Sequence, residues 1–80
     1  MNLLIAIQNY TNALIKYGLY PKNKKLSLGK LEKLADLCMN GKIRKLSRYI
    51  PSDISQEKEA ELRHLLDIIE ETVRNDNSIL

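Results

Sequence analysis

The chain has 80 residues, 44% hydrophobic and 29% charged, with three Gly, two Pro, one Cys and neither Phe nor Trp. That length allows one domain with one modest core. The composition argues against disordered, collagen-like and disulfide-framework classes. Thirteen basic residues against ten acidic ones leave a net charge of only +3.

The N-terminal segment Met1 to Ile7 holds a short apolar run of five residues, which lacks a preceding basic region and ends at Gln8 and Asn9. A secretory signal is not expected there. No stretch approaches the ~18–20 apolar residues of a membrane span. One Cys cannot close an intramolecular disulfide. These features point to a soluble, reducing, cytoplasmic setting with no membrane contact. Stability must then come from packing, and a homodimer is compatible with so short a chain.

Every long segment repeats its apolar residues with helical period, and none alternates as a strand does. The first helix is expected over about residues 3–17, capped by Asn2 and stopped by Gly18. Gln8, Asn9, Asn12 and Lys16 share one polar arc, and apolar residues fill the remaining ~200°, twice the usual stripe of a surface helix. Such a helix is either central in its own domain or covered by a partner. Leu3, Ile7, Tyr10, Leu14 and Tyr17 form a heptad-spaced seam and are the candidate apolar interface. Tyr20 to Asn23 reads as a turn, and Lys22, Lys24 and Lys25 follow within it or just after.

Ser27 caps a second helix over about residues 28–39, whose apolar arc gathers Leu28, Leu31, Leu34, Ala35, Cys38 and Met39. Asn40-Gly41 is a left-handed stop. The third helix is expected over about residues 42–49, ended by the Ile50-Pro51 pair. Ile43, Leu46 and Ile50 share its apolar side. Lys42, Arg44, Lys45 and Arg48 spread over the other, with Tyr49 at its edge. Either Asp53 or Ser55 can cap the fourth helix, and Asp53 with Gln56 fits the reciprocal capping pattern. That helix is expected over about residues 55–74, with Leu62, Leu65, Leu66, Ile69 and Val73 as its stripe. Glu57, Glu59 and Glu61 suit its N-terminal dipole, and Glu59–Arg63 and Glu70–Arg74 are i,i+4 pairs in the favourable order. A frayed tail is expected from about residue 75. The reading is a single all-α domain, a small bundle of about four helices.

Catalytic constellations are missing. His64 is the only His and lies away from the apolar stripe, and Cys38 lies inside an apolar arc, where a buried, inert thiol is expected. One His and one Cys cannot build a zinc site, and the glycines form no phosphate loop. The expectation is a protein that is not an enzyme and carries no cofactor, metal or small-molecule substrate.

Charge by segment is more informative than the total. Residues 1–21 carry +1. Residues 22–48 hold nine basic residues against Glu32 and Asp36, giving +7, and residues 49–80 hold three against eight, giving −5. A basic middle joined to an acidic end suggests an anionic partner. The candidate interaction residues are Lys22, Lys24, Lys25, Lys30, Lys42, Arg44, Lys45, Arg48 and Tyr49. Two functions follow. The first is a small regulatory or adaptor protein that binds an acidic protein surface, or a second copy of itself, through an apolar helical face and this basic patch. The second is a nucleic-acid-binding regulator, helix-turn-helix-like over residues 28–50, although Asn and Gln, frequent base readers, are missing from residues 42–50.

Overall fold

A computed structural model describes residues 2–20 and 27–78, with side chains described up to residue 75. The expected turn at Tyr20 to Asn23 extends beyond these residues, and Lys22, Lys24 and Lys25 lie outside them. Four helices are present, α1 (Leu3–Lys16), α2 (Leu28–Met39), α3 (Arg44–Ser47) and α4 (Gln56–Ser78), and no strand is found among the described residues. This is the all-α bundle that the periodicity predicts. No helix among them is long and apolar enough to cross a membrane.

The helix ends follow their local chemistry. The Asn2 side chain accepts the Leu4 N–H at 2.8 Å, and the Ser27 hydroxyl accepts the Lys30 N–H at 3.2 Å. Each takes up one of the amides that a helix start leaves unpaired. Helices α1 and α2 end in the same way. Leu19 N–H donates to the Leu14 carbonyl and Gly18 N–H to that of Ile15, while Lys42 N–H donates to Leu37 and Gly41 N–H to Cys38. This paired reversal needs a left-handed residue, and Gly18 and Gly41 take φ of 70° and 76°. At the start of α4 the cap is Ser55, whose hydroxyl accepts the Lys58 N–H at 3.4 Å and whose carbonyl accepts the Glu59 N–H.

Two helices depart from expectation. α3 is one turn, and the i→i+3 bonds of Lys45, Leu46 and Ile50 extend it on both sides as tighter turns. α4 continues to Ser78 and does not stop near Arg74. Asn, Asp and Ser cost only a fraction of a kcal/mol each in a helix, roughly 0.5, and neither Gly nor Pro intervenes to stop the ladder.

Ile7, Tyr10, Leu14, Leu46, Leu62 and Ile69 are almost wholly inaccessible and form the centre of the core. α1 packs most extensively on α4, and α2 and α3 close the sides. Tyr17 hydrogen-bonds Glu61, and the Lys58 ammonium lies 5.2 Å over its ring, which pins the C-terminal end of α1 to the first turns of α4. The wide apolar arc of α1 is therefore mostly that of a central helix. Ile7, Tyr10 and Leu14, expected as an interaction seam, are buried within the chain, and Leu3 and Tyr17 are half-buried against the same core. Leu28 and Met39 leave the arc expected for α2 and are 63% and 41% exposed, while Ile5 and Ile15 are exposed on α1. Thr11 and Thr72 are buried, each returning its hydroxyl to a carbonyl one turn back, Ile7 at 3.0 Å and Ile68 at 2.7 Å. That internal bond removes the cost of burying the hydroxyl without a partner.

Candidate interaction surface

The basic turn around α3 is fastened to the core at one point. Leu46 is buried, and its carbonyl accepts the Tyr10 hydroxyl of α1 at 2.6 Å. A second local bond, Ser47 hydroxyl to the Arg44 carbonyl at 2.7 Å, tightens the turn. Ile43 and Ile50 rest half-buried on either side. With the apolar residues turned in, Lys42, Arg44, Lys45 and Arg48 all face solvent.

None of these four cations forms an ion pair with the acidic helix among the described residues. The ion pairs among the described residues are Glu59–Arg63 at 3.7 Å and Glu70–Arg74 at 2.8 Å, both within α4. Four like charges within seven residues thus remain without an ion pair among the described residues.

Tyr49, expected at the edge of the basic face, is half-buried instead. Its ring sits 5.5 Å from that of Tyr20 at 33°, and the pair seals the flank of the core. Burial holds the Tyr20 hydroxyl above its ordinary titration range, and it has no hydrogen-bond partner among the described residues. Lys30, in the first turn of α2, is half-buried. The amide bonded to Ser27 is its own, so that group is not open to an anion.

A cleft of about 290 Å³ separates the basic turn from α4. Ile43, Arg44 and Ser47 line it from the basic turn, and Arg63, Leu66, Asp67 and Glu70 line it from α4. The α3 residues therefore present two edges. Arg44 and Ser47 border the cleft. Lys45 and Arg48, three residues apart on the other side of the turn, are absent from its lining.

Of the groups weighed for chemistry, His64 is exposed on α4 and Cys38 is buried in α2. Burial pushes the Cys38 thiol up to about 11. No group of three or more metal-ligating side chains occurs among the described residues. Comparison with protein-family models, with curated proteins and with solved structures found no match to this chain.

Proposed function

We propose that this chain is a small non-enzymatic binding module that docks on an acidic protein surface through the basic turn Lys42–Arg48. The observation that supports this reading is the set of four exposed cations, without an ion pair among the described residues and held on a turn fixed to the core by Leu46 and Tyr10. A fixed turn loses little freedom when its partner arrives, so more of the electrostatic attraction appears as binding. The apolar contribution expected from the α1 seam falls away, because its central residues are occupied inside the fold.

Two features favour protein over nucleic acid. α3 has four residues, about 6 Å of helix, too short to lie in a groove as a reading helix. The cleft beside Arg44 is also of mixed sign, lined by Arg63 as well as by Asp67 and Glu70, and offers phosphates no uniformly basic surface. A protein surface of mixed sign suits that neighbourhood better.

The test is titration of a fluorescent acidic peptide and of mixed-sequence duplex DNA by fluorescence anisotropy. The expected result is salt-sensitive peptide binding that K45E/R48E weakens at least tenfold with an unchanged helical spectrum. Peptide binding indifferent to K45E/R48E would overturn the reading. Duplex binding at least tenfold tighter than peptide binding would replace it with the nucleic-acid one.

A further inference from the structure

The outer side of α1 is nearly free of charge. Lys16 is the one charged residue among the 14 of this helix, although 29% of the chain is charged. Depletion of charge marks the centre of protein interfaces, where an ion would lose its water without compensation. The Lys16 ammonium lies 5.4 Å over the ring of Tyr17, which packs on the core, so it is drawn toward the flank of the helix. Ile5, Gln8, Asn12 and Ile15 are all exposed, the two isoleucines at 50%. Their spacing of three, four and three residues sets them in one line, on the far side of the helix from the buried Ile7, Tyr10 and Leu14. That is the spacing of a seam between paired helices. Its chemistry reads the same in both directions: apolar, amide, amide, apolar.

We propose that α1 of a second copy of this chain packs antiparallel along this line, as an isologous dimer about a two-fold axis at the level of Tyr10. Ile5 of each protomer then meets Ile15 of the partner subunit, and Gln8 meets Asn12 of the partner subunit. Each side-chain amide carries both a donor and an acceptor, so Gln8 and Asn12 satisfy one another across the seam. This complementarity singles out a second copy. A wholly apolar partner would strand the two amides, and a charged one would bury ions against isoleucine. The antiparallel direction also sets opposite ends of the two helix dipoles side by side. With 14 residues, α1 offers a strip about 21 Å long and about 10 Å wide. That is smaller than the ~800 Å² each partner gives to an ordinary specific interface, so the association is weak and depends on concentration. The contact lies on α1 and leaves the turn Lys42–Arg48 open, so it stands or falls separately from the function proposed above.

Sedimentation equilibrium from about 10 μM to about 1 mM, a span that brackets weak association, tests the proposal. The mass is expected to climb from 9.2 kDa toward twice that value. It should climb no less at about 1 M salt than at about 0.1 M, because no ion pair holds the contact. Ile5→Glu and Ile15→Glu are each expected to weaken association at least tenfold with an unchanged helical spectrum, both positions being exposed. K45E/R48E is expected to leave it unaltered. Direction is read by mixing Ile5→Cys with Ile15→Cys under mild oxidation; Cys38 is buried and does not compete. Crosslinks between the two variants are expected in excess over crosslinks of either with itself. A wild-type chain that stays at 9.2 kDa at about 1 mM, association that is lost at about 1 M salt or persists in both glutamate variants, or crosslinks that favour either cysteine variant with itself, would each overturn the proposal.

Discussion

Replacing Tyr10 with Phe tests how the basic turn is held. The ring fills the centre of the core and stays in the variant, so the change removes only the hydroxyl and its 2.6 Å bond to the Leu46 carbonyl. A net hydrogen bond is worth ~0.5–1.5 kcal/mol, and an acceptor stranded in the core adds ~1–3. The Leu46 carbonyl keeps a long contact from the Tyr49 N–H at 3.4 Å, so the stranding is partial. A loss of about 1–2 kcal/mol at pH 7 follows.

The same hydroxyl carries a pH signature. Burial raises its titration well above the ordinary value of 10, with Arg63 offsetting part of the rise. The unfolded chain therefore deprotonates first as pH increases. The stability contributed by the neutral hydroxyl is complete below pH 10 and declines above it, by about 1.4 kcal/mol per pH unit. Phe cannot ionise, so Y10F lacks this decline. Urea denaturation from pH 7 to pH 11 is expected to show the variant weaker at neutrality and the two stability curves meeting about one unit above pH 10. A variant within a few tenths of a kcal/mol of wild type at pH 7, or a constant gap up to pH 11, would refute the assignment of this bond.

Other substitutions probe the remaining features. Y20F, which removes a buried hydroxyl lacking a partner among the described residues, is expected to match or exceed wild-type stability, by up to about 1 kcal/mol. Leu14→Ala should cost ~2–5 kcal/mol in denaturant titration, as truncation in a closed core does, whereas Ile5→Ser and Ile15→Ser, on half-exposed side chains, should change stability by less than about 0.5 kcal/mol. Gly18→Ala and Gly41→Ala should each lower thermal stability by ~1–2 kcal/mol, because both glycines hold positive φ. The Cys38 thiol should resist a colorimetric thiol reagent at pH 8 and react at least about a hundredfold faster in denaturant, since burial both shields it and raises its titration to about 11.

The features that sequence resolved are those in which one residue type has one local use. Asn2 and Ser27 accept the amides at helix starts, and Gly18 and Gly41 adopt the left-handed turn, because few other residues do either well. The i,i+4 pairs of α4 were legible for the same reason, being fixed by helix geometry alone. What sequence could not assign was which apolar face meets which. A seam of Leu3, Ile7, Tyr10, Leu14 and Tyr17 reads identically whether α4 of the same chain or another molecule covers it. The wheel likewise placed Leu28 and Met39 with the core, although both end up exposed. α3 shrank to one turn where i→i+3 bonds replaced helical ones, a choice decided by anchoring Leu46 rather than by propensity. At the basic patch, the charges were visible from the start. That Tyr49 would turn onto Tyr20, and that Arg44 would border a cleft with Asp67, depended on contacts distant along the chain.

The most direct test of the central claim is where an acidic ligand lands. Amide chemical shifts of the labelled chain, followed during titration with an acidic peptide at about 0.1 M salt, locate the contact residue by residue. The account predicts that the largest changes fall on Lys42, Lys45, Arg48 and their neighbours, and that they vanish in K45E/R48E. Changes centred on α1 or α2, or none at a peptide excess that saturates the anisotropy signal, would contradict it.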